Sequence, residues 1–194
     1  MVQFIYTIGH SSHDIETFFS HLKRYNITDI TDIRRSPRSS RFPHFNREQI
    51  ESECLARSSF NYSFYGDILG ARRRRRQSFD QLNNALVDPD ARSYADHMQT
   101  IEFQQIISQL ISNLSSSSAL VLMCSENNPE FCHRSLLADY LTLIHRIQVI
   151  HILFHGETCN HQLHVHATFH HENQTCIYPN DFKTTTIDES VRSF

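Results

Sequence analysis

Five consecutive apolar residues, Ala119-Leu120-Val121-Leu122-Met123, constrain the fold more than any other feature of the chain. A run without alternation has no polar face to turn toward water, so it reads as a strand buried on both faces of a parallel sheet. Its surroundings alternate in the same sense. Val2 to Ile8 is an apolar run ending at Gly9-His10-Ser11-Ser12, and Asp14 can cap a helix whose Ile15, Phe18, Phe19 and Leu22 recur at helical spacing. Ile27 to Ile33 predicts a second strand, and the proline and crowded charge of Arg34-Arg35-Ser36-Pro37-Arg38-Ser39-Ser40-Arg41 then force a surface loop.

Asn46 followed by Gln49 resembles a capping box for a helix to about Arg57, Asn61 to Tyr65 predicts an edge-like strand, and Gly66 and Gly70 bracket a turn. Tyr94 to Leu114 has the length of one long helix, with Met98, Ile101, Phe103, Ile106, Ile107, Leu110 and Leu114 on its apolar side. A loop from Cys124 to Phe131 leads to a helix from about Cys132 to Arg146, and Val149 to Phe154 supplies another strand. The prediction is an α/β fold: a single three-layer domain with a mostly parallel sheet flanked by helices over residues 1–155. Residues 156–194 form a His-rich C-terminal extension, either a hairpin or an irregular tail.

With 194 residues there is material for one proper core. The net charge of −3 excludes a globally basic nucleic-acid coat protein but leaves local basic patches open. No run approaches the roughly 18–20 apolar residues that span a bilayer, and the N-terminus lacks a basic n-region and a small-residue cleavage site. A cytoplasmic protein without a membrane partner is expected. The five cysteines are odd in number and form no CxxC pair, so reduced thiols are expected rather than a disulfide framework.

Three polar loops follow strands: Gly9 to Ser12, Asp32 to Arg41, and Cys124 to Arg134. In a parallel sheet they converge on the carboxyl edge, where ligands bind. The sharpest is Cys124-Ser125-Glu126-Asn127-Asn128-Pro129-Glu130-Phe131-Cys132-His133-Arg134. A cysteine after a strand and before a helix can be a low-pKa thiolate. Arg134 lies ten positions beyond Cys124, so the tight cradle of a cysteine phosphatase is absent. An anion site remains, with His133, Arg134 and helix-terminal N–H groups meeting phosphate and Glu126 as general acid or base. Cys132 reads as structural.

His10 is a candidate general base or phosphate donor, with Ser11 beside it as a phosphate-binding residue; Arg34 and Arg38 can grip phosphate, and Asp32 can orient an arginine or act as base. Arg72, Arg73, Arg74, Arg75 and Arg76 form a run suited to a polyanion, with Tyr62, Phe64 and Tyr65 upstream as stacking surfaces. In the extension, His161, His164, His166, His170 and His171 have metal-ligand spacings, best in His164 and His166 if they alternate on one strand face; polarity alone accounts for them, and no cofactor or metal is assigned.

Tyr6-Thr7-Ile8-Gly9-His10-Ser11, Asp32-Ile33-Arg34 with Ser36-Pro37 and Ser39, Leu69-Gly70 followed by arginine, Met123-Cys124-Ser125-Glu126 and Cys132-His133-Arg134 occur in that order. Together they resemble the domain of unknown function 488 family over about residues 2 to 154. The resemblance implies a compact α/β domain with these loops clustered, and supplies no reaction. The chain departs from the family in having Ala71 where a second glycine is usual, and Arg146-Ile147-Gln148 where a glycine commonly precedes the next strand. The residues point to an enzyme acting on a phosphate-bearing nucleotide or nucleic acid, by base processing or hydrolysis. A non-catalytic nucleotide- or nucleic-acid-binding module is the alternative, and a metal-dependent hydrolase using the terminal histidines a third reading.

Overall fold

The computed structural model describes residues 4–73, 82–114 and 119–180. Its strands are β1 (Phe4–Gly9), β2 (Ile27–Asp32), β3 (Asn61–Phe64), β4 (Ala119–Cys124), β5 (Gln148–Ile152) and β6 (Thr158–Asn160), in the sheet order β3-β2-β4-β1-β5-β6. All neighbours are parallel except β6, which runs antiparallel to β5. The apolar run is β4, paired on both sides, and β3 is an edge strand.

Side-chain alternation along the strands feeds two cores. Val121 and Met123 face a layer with Ile8, Ile30 and Ile152, covered by helix α1 (Ile15–Arg24) and helix α2 (Arg47–Arg57). Leu120, Leu122 and Cys124 face the opposite layer, covered by α4 (Pro89–Met98), α5 (Ile101–Ser112) and α6 (His133–His145). This is a mostly parallel sheet flanked by helices in three layers.

Four local expectations are corrected. The single helix over 94–114 is two: Thr100 breaks it by donating its hydroxyl to His97 O at 2.8 Å and accepting Phe103 N–H at 3.3 Å, which caps α5 and leaves Ile101 72% exposed. The capping box at α2 does not form, because the Asn46 carboxamide accepts Ser39 N–H at 2.6 Å and so anchors the arginine-rich loop instead. The turn between Gly66 and Gly70 contains the one-turn helix α3 (Gly66–Leu69). His164 and His166 do not share a strand face; they flank a turn before β7 (Thr168–His170).

The extension packs into the domain. β7 pairs with β8 (Thr175–Ile177), and Cys176 and Tyr178 are buried in the core that α6 covers. The histidines are part of the fastening. Asp139 of α6 accepts from His161 Nε2 at 2.9 Å, His164 N–H at 3.0 Å and Tyr178 O–H at 2.9 Å. The ring of His161 meets His151 at 3.0 Å, and His151 Nδ1 reaches the Thr7 hydroxyl at 2.7 Å. A polar chain therefore runs from the extension to β1, with its members satisfying one another away from water.

Candidate functional site

The loops after β1, β2 and β4 meet at the carboxyl edge of the sheet. His10 N–H donates to Cys124 O at 2.9 Å, Ser11 N–H to Ser125 O at 3.1 Å, and Ile33 N–H to Met123 O at 3.0 Å. The approach is close enough that a Cβ on Gly9 would lie 1.7 Å from Glu126 O, and one on Gly66 would lie 1.9 Å from Arg34 O. Only glycine fits either place.

At this edge the predicted residues divide into a buried lock and a reactive group. In the lock, Arg34 holds Asp32 with Nε–H to Oδ1 at 2.9 Å and Nη2–H to Oδ2 at 2.6 Å, while its Nη1 donates to Phe45 O at 2.7 Å and His10 Nε2 at 3.0 Å. Asp32 also accepts Arg34 N–H at 3.0 Å and Tyr62 O–H at 2.7 Å, so each carboxylate oxygen takes two donors. Guanidinium can only donate, hence His10 Nε2 is the acceptor and the imidazole proton sits on Nδ1, facing Ser11 O at 3.1 Å. Burial and then Arg34 push the His10 pKa down to about 3, and the ring stacks on Phe45 at 4.2 Å.

These contacts reassign Arg34 and His10 and select one of the two roles expected of Asp32. Arg34, 6% exposed, binds the protein's own carboxylate rather than phosphate. Asp32 is fully buried and saturated, so it positions Arg34 and is not a base. His10 is a neutral acceptor from Arg34, with no lone pair left for general-base work. Arg134 is likewise fully buried, donating to Glu126 O and Asn127 O and shaping the loop after Cys124 instead of meeting an anion.

The reactive group lies on the α6 side. Cys124 ends β4, and α6 begins at His133 with Cys132 as its N-cap. His133 Nδ1 lies 3.8 Å from Cys124 Sγ and 3.6 Å from Cys132 Sγ. The hydrogen bond with Cys132 holds the Cys124 thiol well below its ordinary value against the opposing effect of burial, helped by His133 and Glu126 N–H. The same bond, with burial, holds Cys132 well above it. Among the described residues, these three are the one Cys/His/Asp/Glu group with donor atoms close enough to hold a metal ion. His133, expected on phosphate, thus faces sulfur.

Glu126 is exposed, and its Oε1 accepts Asn127 N–H at 2.9 Å. Ser11 is half-buried in a left-handed turn at φ 46°, and Arg35, Arg38 and Arg72 are exposed. Arg73 turns inward, donating to Gly70 O and Asp67 O at 2.7 Å each, where it caps α3. Arg74, Arg75 and Arg76 lie outside the described residues. Tyr62 is the Asp32 donor and Phe64 lies under Arg47 at 4.1 Å, so neither is an open stacking platform.

Sequence reasoning missed the parts played by Cys132 and Tyr94. Tyr94 packs edge-on with His133 at 5.0 Å and donates to Leu69 O at 2.8 Å, joining the reactive group to the Leu69-Gly70 turn. The available signal was the adjacency of Cys132 and His133 at a helix start, eight residues after a strand-terminal cysteine. All five cysteines are free thiols, and no helix among the described residues is long and apolar enough to cross a membrane.

Comparison with curated proteins and with solved structures finds no match. A family model does match, over residues 14–141, which include Asp32 and Arg34 of the lock, the Leu69-Gly70 turn and the whole Cys124–Arg134 segment. The chain belongs to the family described as domain of unknown function DUF488.

Proposed function

We propose that the chain is an enzyme hydrolysing a phosphate-bearing nucleotide or nucleic-acid substrate at the carboxyl edge of its sheet, with Cys124 as nucleophile. The single observation that carries this reading is the placement of the Cys124 sulfur, at the end of a central strand and beside the first turn of α6, with Cys132 and His133 directed at it. A strand end and a helix start together fix a sulfur where backbone N–H groups favour negative charge.

In the first step Cys124 attacks the electrophilic centre and the leaving group departs. In the second, Glu126 takes a proton from water, which releases the product and regenerates the thiolate. Arg35, Arg38 and Arg72 remain exposed after Arg34 and Arg134 are engaged inside, and they supply the fringe that phosphate meets. A free thiol pair suits a reducing compartment such as the cytoplasm. The test is turnover across a panel of nucleotides and oligonucleotides. Cys124→Ser is expected to abolish turnover and Glu126→Gln to slow release of a covalent intermediate; full activity in both variants contradicts the reading.

The exposed arginines also favour a second reading, a binding module without turnover. It predicts nucleic-acid affinity that falls steeply with salt and is indifferent to Cys124→Ser.

A further inference from the structure

We infer that Cys124, Cys132 and His133 form a three-ligand site for a soft or borderline cation of the zinc class at the carboxyl edge of the sheet. Its occupancy would take Cys124 out of reaction, and this last clause alone rests on the proposed function.

The geometry is the argument. Zinc–sulfur and zinc–nitrogen bonds of about 2.3 and 2.0–2.1 Å give tetrahedral edges of roughly 3.6 Å from sulfur to nitrogen and 3.8 Å from sulfur to sulfur. The two sulfur-to-Nδ1 separations are 3.8 and 3.6 Å, and all three donor atoms lie within 4.8 Å of one another. The two sulfur-to-nitrogen separations therefore match the edges of a coordination tetrahedron before any ion arrives. Two sulfurs and one imidazole are a soft set that disfavours magnesium and calcium.

The imidazole turns Nδ1, the nitrogen that would ligate, to both sulfurs; binding moves its proton to Nε2, which is buried without a hydrogen-bond partner. Packing against Tyr94 fixes the ring plane instead. No fourth donor joins the group among the described residues. Three protein ligands are the number from which zinc accepts a water or substrate oxygen as its fourth. Binding converts the Cys132 thiol to a thiolate with release of its proton, leaving both sulfurs bonded to the metal.

The test is cobalt(II) titration of the reduced, full-length protein, followed by zinc displacement. Expected is one cobalt per chain with thiolate-to-cobalt charge transfer, more than about tenfold weaker binding in Cys132→Ser and in His133→Ala, and no change in Cys159→Ser. The terminal histidines can take up cobalt through nitrogen alone, which gives no sulfur charge-transfer band. Zinc is expected to slow iodoacetamide labelling of Cys124 in step with occupancy. Absence of the band, or a band that survives both Cys132→Ser and His133→Ala, overturns the inference. A protein that turns over through Cys124 yet shows no band keeps the proposed function and loses the metal site. One that binds cobalt while Cys124→Ser retains full turnover keeps the site and loses the function.

Discussion

Lowering the pH from 7.5 to 5.5 is expected to destabilise the protein through two neutral histidines. Burial and then Arg34 put His10 at about 3; burial, then His161 and Arg134, put His151 at about 3, against an ordinary value of 6.5. Besides these, His10 faces Cys124 and His44, and His151 faces the Thr7 hydroxyl. In each case the unfolded chain takes up a proton below pH 6.5 that the folded chain refuses until about pH 3. Stability is therefore full above 6.5 and is lost as pH falls through that window. At pH 5.5, one unit below the unfolded value, each site costs RT ln 11, about 1.4 kcal/mol, and the pair about 3 kcal/mol. With a urea slope of roughly 2 kcal/mol/M this lowers the denaturation midpoint by roughly 1–2 M. Burial also lowers His21, His145 and His164, which adds in the same direction. Urea unfolding at the two pH values measures the loss, and His10→Gln and His151→Gln should each remove about 1.4 kcal/mol of the difference. Equal midpoints at the two pH values, or an undiminished difference in both variants, would mean that these two imidazoles are not held neutral by the fold.

Asp32→Asn should destabilise by about 3–5 kcal/mol, because it leaves the buried Arg34 guanidinium without its counter-charge; urea unfolding at pH 7.5 checks this. Gly9→Ala should cost at least about 2 kcal/mol and lower turnover, since the added methyl meets Glu126 O and must displace the loop behind Cys124. Asp139→Asn should loosen the extension while sparing the sheet, read as faster hydrogen exchange over 156–180 than over β4.

The layered fold was legible because hydrophobic period and strand-end turns are local signals, and β4 and α6 carry them in strong form. The long helix was misread for a local reason as well: Ile101, Ile106 and Leu114 keep helical spacing, and a single threonine hydroxyl decides the break. Convergence of the loops followed from parallel topology. The destinations of the side chains did not, because Asp32, Arg34 and Arg134 look in sequence like groups offered to a ligand. Only the packed loops show that they are spent on Phe45 O, His10, Glu126 O and Asn127 O. Cys132 was undervalued because its partner is seven intervening residues away, across a loop that Arg134 folds back.

Competitive labelling of the folded, reduced, metal-free protein with limiting iodoacetamide at neutral pH, read out by peptide mass spectrometry, shows whether Cys124 is the reactive thiol. Exposed Cys159 has the better access, and burial pushes its thiol up, whereas Cys124 is 5% exposed with its thiol held well below the ordinary value. The account predicts that Cys124 is modified first and that turnover is lost in proportion. Modification of Cys159 with Cys124 left untouched, or full turnover after Cys124 is alkylated, would contradict it.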